Sequence, residues 1–423
     1  MQQFTDKLKA VFMDPAIRRR IIFVLVALVL FRLLAAIPVP NIDKTQLANF
    51  FNNNAFFGLL GIFSGGGLYT LSIIMLGVAP YITASIVMQL LTMMSPSLKA
   101  MYQEEGEAGR RKFTQYSRLL TVPLAVLQAF AYMILFQKQN VVPHLDTLQL
   151  VTNIVVITGG SVLLMWIGEL ITEFGVGNGV SILIFAGIVA RLPQDLVQLS
   201  YTYDPAQIPV YLLFLAAALL IVYGVVVITE AERPIPVTYA KRVRGNKVYG
   251  GVSTYLPLRL NQSGVIPIIF ALSILLFPQM IFRFLQTSSH LWVANVSTSI
   301  INLLANQWFY GIAYFVLVFL FTYFYTAVTF DPESISTNLQ KSGAFIPGVR
   351  PGASTSENLT KVLTRITLVG ALFLGVIAVL PLVARGFTGN QSLAIGGTAL
   401  LIAVSVVLDL VKKLDAQLGM REY

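Results

Sequence analysis

Charge is the scarcest commodity in this 423-residue chain: Asp, Glu, Lys and Arg together make up 11% of it. A soluble domain carries about 25%. Cysteine is absent, which excludes disulfides, thiolate chemistry and Cys-ligated metals. Two histidines, His144 and His290, are the whole supply of imidazole, and both fall between apolar runs. No G-x-x-x-x-G-K-[ST] phosphate loop and no H-E-x-x-H zinc helix occurs, so neither nucleotide hydrolysis nor zinc chemistry is readable and no cofactor is expected. Ser181 has no candidate base within a membrane segment. Charged residues are almost missing from the apolar runs too: Arg32 is the only one well inside a run, with Glu169 and Asp409 at the ends of others. Ion-coupled transporters bear the cost of intramembrane charge for their coupling sites; this sequence does not.

What the sequence has instead is apolar length. Hydrophobic residues reach 56%, in runs of roughly 17–24 residues, close to the ~20 a spanning helix needs and well beyond the ~9–11 of a barrel strand. Backbone polar groups in lipid must be satisfied within the segment or a closed barrel, so helices are predicted. Ten spans are read at 21–37, 70–94, 117–136, 151–170, 180–192, 208–229, 263–284, 307–329, 366–384 and 393–411. Arg18-Arg19-Arg20 before Ile21–Phe31 imitates a signal peptide, but nine further runs make a retained signal anchor the better reading.

The net charge of +10 is distributed unevenly. With ten spans, 23 of the 29 Lys and Arg fall on the side of the N-terminus and five on the other, Arg32 lying within the first span. That asymmetry places both termini in the cytoplasm. It also decides the short run Val180–Leu192, because six basic residues of the 230–261 loop would otherwise lie outside. The segment 193–207 divides the ten spans into two sets of five, an arrangement suited to an inverted repeat around a central cavity. The chain is thus read as a cytoplasmic segment 1–20, an N-terminal half 21–192, an external linker 193–207, a C-terminal half 208–411 and a cytoplasmic tail 412–423.

Several features admit two readings on the residues alone. Arg32 is either a bundle-facing structural residue bonded to carbonyls or part of a gate. The apolar stretch 55–67, too short to cross, is either an interfacial helix or a re-entrant segment lodged in a protein cavity. The basic loops 230–261 and 330–361 are either topogenic or docking surfaces for phosphate or an acidic protein face. Pro80, Pro123, Pro267 and Pro278 either serve packing or suit helices that must part. A passive channel, an inverted-repeat transporter and a lipid scramblase all remain compatible.

Six stretches, in order along nearly the whole chain, carry a resemblance. They are Phe63-Ser-Gly-Gly-Gly67, Gly109-Arg-Arg-Lys112, Gly175-Val-Gly-Asn-Gly179, Ile182-Leu-Ile-Phe-Ala-Gly187, Tyr239-Ala-Lys-Arg242 and Gly343-Ala-Phe-Ile-Pro-Gly-Val-Arg-Pro-Gly352. Together they resemble the SecY family of bacterial protein-export channels. The resemblance implies an all-α polytopic membrane protein, with ten transmembrane helices in two pseudo-symmetric five-helix halves around an hourglass pore. It implies no catalysis, and a location in the bacterial plasma membrane. The pore ring falls on Val78, Ile82, Val180, Ile184, Ile269 and Ile402, two of them Val where Ile is common in the family. The plug is 55–67, with Phe57, Leu59, Leu60, Ile62, Phe63, Ser64, Gly65 and Gly66. Thr83 and Phe277 match the lateral gate, through which signal sequences and membrane segments of preproteins reach lipid. Lys241, Arg242, Arg244 and Arg350 match docking positions for the SecA ATPase or the ribosome. SecE and SecG are the implied partner subunits.

Overall fold

A computed structural model describes residues 14–40, 67–68, 71–103, 105–138, 142–143, 145–201, 208–239, 242–244, 247–249, 253–264, 266–286, 290–388 and 391–419. Each of the ten expected spans falls on a helix. The first half contains α1 (Pro15–Ala36), α2 (Ala79–Met94), α3 (Pro96–Gln103), α4 (Gly106–Lys138), α5 (Thr147–Phe174) and α6 (Gly179–Tyr201). The second contains α7 (Ile208–Glu230), α8 (Ile266–Leu285), α9 (Leu291–Ala305), α10 (Gln307–Thr329), α11 (Pro332–Lys341), α12 (Ala353–Thr388) and α13 (Gln391–Gly419). Asp14 caps α1, its carboxylate accepting from Ala16 N at 2.8 Å ahead of Pro15, and Asp146 with Gln149 forms a capping box on α5. The α6 helix runs past Leu192 through Pro193 to Tyr201, which gives the short run the length of a span. Of the four prolines, Pro80 and Pro267 sit in first turns, where a missing N–H costs nothing, whereas Pro123 and Pro278 are interior.

The second span begins without helix. Residues 71–78 form successive turns, with Gly77 at φ 58° and Leu71 at φ 41°, and only glycine adopts such angles freely. Backbone of this kind survives at membrane depth only when protein satisfies it. Ser161 Oγ, on α5, donates to Gly77 O at 2.9 Å. Val39 N donates to Leu71 O at 2.8 Å and Ile73 N to Ile37 O at 3.0 Å, tying this segment to the end of α1. Gly160 allows the approach, since a Cβ there would lie 2.1 Å from Ile73 O.

Lipid supplies no hydrophobic drive between helices, so small residues and close packing carry the association. The Gly-Val-Gly-Asn-Gly stretch illustrates this. A Cβ on Gly179 would lie 1.8 Å from Gly168 O, so α6 starts directly against α5. Thr172 Oγ1 accepts from Gly179 N at 2.9 Å while donating to Gly168 O at 2.8 Å. The Asn178 side chain accepts from Ser181 N at 3.1 Å.

The strands among the described residues in β1 (Glu232–Tyr239), β2 (Arg242–Arg244), β3 (Lys247–Tyr249), β4 (Ser253–Arg259) and β5 (Ala344–Phe345) all lie in the two large loops. The β1 strand pairs antiparallel with β4, Glu232 opposite Arg259, and with β5 through Thr238↔Phe345. The loops thereby share a core of their own, in which Val237, Leu258, Ala344 and Leu359 are buried. The pairing also fixes orientation: the C-terminal ends of α7 and α10 lie on one face of the molecule, and Gln307 at the start of α10 lies on the other.

Candidate functional site

A cavity of about 430 Å³ opens between the two halves, lined from α2, α4, α5, α6, α8 and α10. Its composition is graded. Towards one end stand Ile82 of α2, Ile184 of α6 and Ile269 of α8, with Val180 at the start of α6 between them and the polar end. Towards the other stand Gln89, Thr114, Arg118, Glu169, Glu173 and Asn178. Gln89 lies two helical turns beyond Ile82 in the direction of α3 and the start of α4, so the polar end faces the side that carries the sheet.

Helix spacing explains the aliphatic end. Val180 and Ile184, four residues apart on α6, present one face, and the Gly168–Gly179 contact holds that face towards the cavity. Ile82 sits in the first turn of α2, directly after the turns anchored by Ser161. Ile184 and Ile269 are 1% and 6% exposed. Val78 and Ile402 are buried and belong to the same apolar core, outside the lining of the cavity. The structure therefore brings five of the six resemblance-derived positions into one core with Val180 packed against it, and four of the six around one space.

At the polar end, Arg118 Nε donates to Glu169 Oε1 at 2.6 Å, joining α4 to α5. Arg118 falls at the very start of the expected span 117–136, and α4, which begins twelve residues earlier at Gly106, carries it into the cavity wall. Glu173, one turn beyond Glu169, is exposed to the cavity. The pattern Glu169-x-x-x-Glu173 at a span end was the available signal, and only the position of the cavity gives it meaning.

Thr83 and Phe277 lie on α2 and α8, which pack against each other. Thr83 Oγ1 donates to Ala79 O of its own helix at 3.0 Å, and Phe277 is half-buried against the core. Phe130 of α4 and Phe284 of α8 continue the contact, with ring centroids 5.8 Å apart. Arg32 Nη2 donates to Ala190 O on α6 at 3.4 Å, the carbonyl-bonded arrangement among its two readings.

Arg350 is exposed in the turn after β5, where Gly348 and Gly352 take φ of 83° and 97°. Its carbonyl accepts from Thr355 Oγ1 at 2.8 Å, and Ser336 Oγ donates to Gly352 O at 2.6 Å. Nearby, a hydrogen bond from Lys361 holds the Glu357 carboxyl below the usual carboxylate range. Arg242 and Arg244 lie on β2, paired with Tyr249 and Lys247. Lys241 lies outside the described residues, as do Phe57, Leu59, Leu60, Ile62, Phe63, Ser64, Gly65 and Gly66.

The sequence pattern of the SecY family matches residues 72–411. The chain belongs to the SecY family. The protein translocase subunit SecY of Streptomyces scabiei is 41% identical over 428 residues, covering 97% of each chain. A solved SecY channel, studied for a plug domain that stabilises its closed state and maintains a membrane seal, superposes with TM-score 0.66 at 20% identity. That match covers 95% of this chain and 92% of the other. Sec61 in a canine ribosome–channel complex from the endoplasmic reticulum gives TM-score 0.63 at 18% identity, with the same coverage. The fold is thus the ten-helix membrane architecture of these channels, two halves of five spans around a central pore.

Proposed function

We propose that this chain is the channel subunit of a protein translocase, passing unfolded polypeptides across the membrane and releasing apolar segments sideways into lipid. The observation that carries the reading is the cavity between the halves, whose aliphatic lining includes Ile82, Val180, Ile184 and Ile269. An aliphatic constriction excludes water and ions by dewetting and forms no sequence-specific bond to a chain sliding through it. Val78 and Ile402 complete the ring in this reading, and the segment 55–67 is the plug beyond it. The halves divide at 193–207, and the seam between α2 and α8, with Thr83 and Phe277, is the lateral gate.

The energy comes from partners, since the chain has no phosphate loop. Lys241, Arg242, Arg244 and Arg350, on the shared unit built from the two loops, receive the SecA ATPase or the ribosome. SecE and SecG are the companion subunits. Both termini face the cytoplasm, the membrane is the bacterial plasma membrane, and the chain itself catalyses no reaction. The test is reconstitution: proteoliposomes holding this chain with SecE and SecG, supplied with SecA and ATP, protect a preprotein from external protease. Absence of protection from an assembled complex, alongside protection by a known translocase in parallel, contradicts the proposal.

A further inference from the structure

A second cavity lies away from the pore, between α10 and α12. It has a volume of about 260 Å³ and is lined by residues that include Gln307, Trp308, Gly311, Phe315, Val379 and Leu382. Trp308 and Ile312 beside it are 71% and 65% exposed. On a spanning helix such exposure means contact with lipid. Gln307 and Trp308, the first two residues of α10, are the polar members of the lining, and both sit at one end. The Gln307 side-chain amide donates to Leu382 O, so the two helices are joined there. Below that point the walls are aliphatic or aromatic.

Dimensions choose the occupant. From Gln307 to Phe315 the helix rises about 12 Å, most of the depth of one leaflet of a hydrocarbon core ~30 Å thick. The two helices touch at both ends of the cleft, through Gln307 and the Leu382 carbonyl at one and through the Phe315 ring against Gly375 at the other. It is therefore a shallow groove, with no gap between α10 and α12 for a further helix ~10–12 Å across. One extended hydrocarbon chain fits. The polar end is on the face opposite the sheet, which is the outer leaflet under the charge asymmetry. Gly311 makes the room: a Cβ there would meet Val379 Cγ1 at 3.5 Å, an ordinary contact, so a larger side chain would grow into the cleft.

We propose that this cleft seats one acyl chain of an outer-leaflet phospholipid, with the glycerol backbone at Gln307 and Trp308. The inference needs only that α10 and α12 span a membrane, and it stands or falls independently of the channel reading. Lipid held there would fill a wedge between α10 and α12 that neither helix fills itself.

The test uses the full chain with its partner subunits in vesicles of phosphatidylethanolamine and phosphatidylglycerol, with a tracer phosphatidylglycerol carrying a diazirine midway along one acyl chain. After photolysis, peptide mass spectrometry compares residues 307–315 and 376–383 with Leu212 and Leu215 on α7, exposed near the same face. Labelling of the cleft is expected to exceed that of α7 about fivefold, equivalent to ~1 kcal/mol of preferential seating. In Gly311→Leu it is expected to fall to the α7 level. Equal labelling of the two faces in the unaltered protein overturns the proposal. So does undiminished cleft labelling in an assembled Gly311→Leu complex, or a partner subunit cross-linked in place of lipid.

Discussion

Arg118 Nε stands 2.6 Å from Glu169 Oε1, and this pair bridges α4 and α5 where the central cavity turns from aliphatic to polar. It neutralises one carboxylate of the mouth and leaves Glu173, a turn further on, as the unbalanced charge. In a chain of net charge +10, the mouth of the cavity is therefore locally negative.

Substituting Glu169→Gln removes one negative charge from this mouth while keeping the side chain's shape. With Arg118 then uncompensated, its field acts on whatever crosses the cavity, and in a low-dielectric funnel that field is weakly screened. Channels held open by a stalled chain in planar bilayers are expected to shift their reversal potential in a KCl gradient towards chloride. An unchanged reversal potential would place Glu169 outside the conducting path.

Glycine contacts predict a sharp contrast between neighbouring helices' small residues. In Gly179→Ala the new methyl meets the Gly168 carbonyl at 1.8 Å, and neither backbone can yield. The cost should exceed the ~1–3 kcal/mol typical of overpacking, lowering the thermal midpoint or abolishing assembly. Gly159→Ala, with nothing within 4 Å, is expected to leave the midpoint within experimental scatter. Equal midpoints for the two variants would contradict the α5–α6 packing.

The exposed turn bearing Arg350 is held by Ser336 and Thr355 rather than by the arginine side chain itself. Arg350→Glu should consequently leave membrane insertion and subunit assembly normal while preprotein export falls. Because salt screens both the attraction of the arginine and the repulsion of the glutamate for phosphate or an acidic face, the defect relative to the unaltered chain should be largest at low ionic strength and narrow as it rises. Near-normal translocation by an assembled Arg350→Glu complex would remove this residue from the docking surface.

Deleting residues 57–65 takes out the segment assigned as the plug. Resting ion conductance of the deletion variant in planar bilayers is expected to rise above that of the full chain. Conductance indistinguishable from the full chain would reassign the segment to an interfacial role.

Much of this architecture could be read from apolar run length and basic-residue placement, because lipid enforces both. The short run Val180–Leu192 is the instructive case: charge counting required it to cross, and α6 crosses with 23 residues by continuing through Pro193. Hydropathy was blind to the turns at 71–78, since Ile73, Ile74 and Leu76 are as apolar there as in a helix. Only Gly77 hinted at them. It was equally blind to α9, an uncharged helix of 15 residues, too short to cross and therefore unassigned. The sheet was hidden for another reason. Pro234 and Pro236 argue against a central strand, yet β5 pairs only with Thr238 and Tyr239, so the proline-bearing part of β1 is an edge, where proline is tolerated. Its partner comes from a loop about a hundred residues away, beyond any local pattern. The four cavity-facing aliphatic residues look like ordinary packing in the sequence, and family resemblance alone singled them out.

The absence of cysteine makes the native chain its own background for the decisive measurement. Single cysteines are introduced at Ile82, Ile184, Ile269 and Ile402, and as a lipid-facing control at Leu219, and a preprotein with one cysteine in its transit segment is stalled in the complex. Disulfides to the stalled chain are expected at the four central positions, each dependent on the stalled chain's register, and none at the exposed Leu219. Cross-linking at Leu219 with none at the central four would show that the polypeptide takes another route.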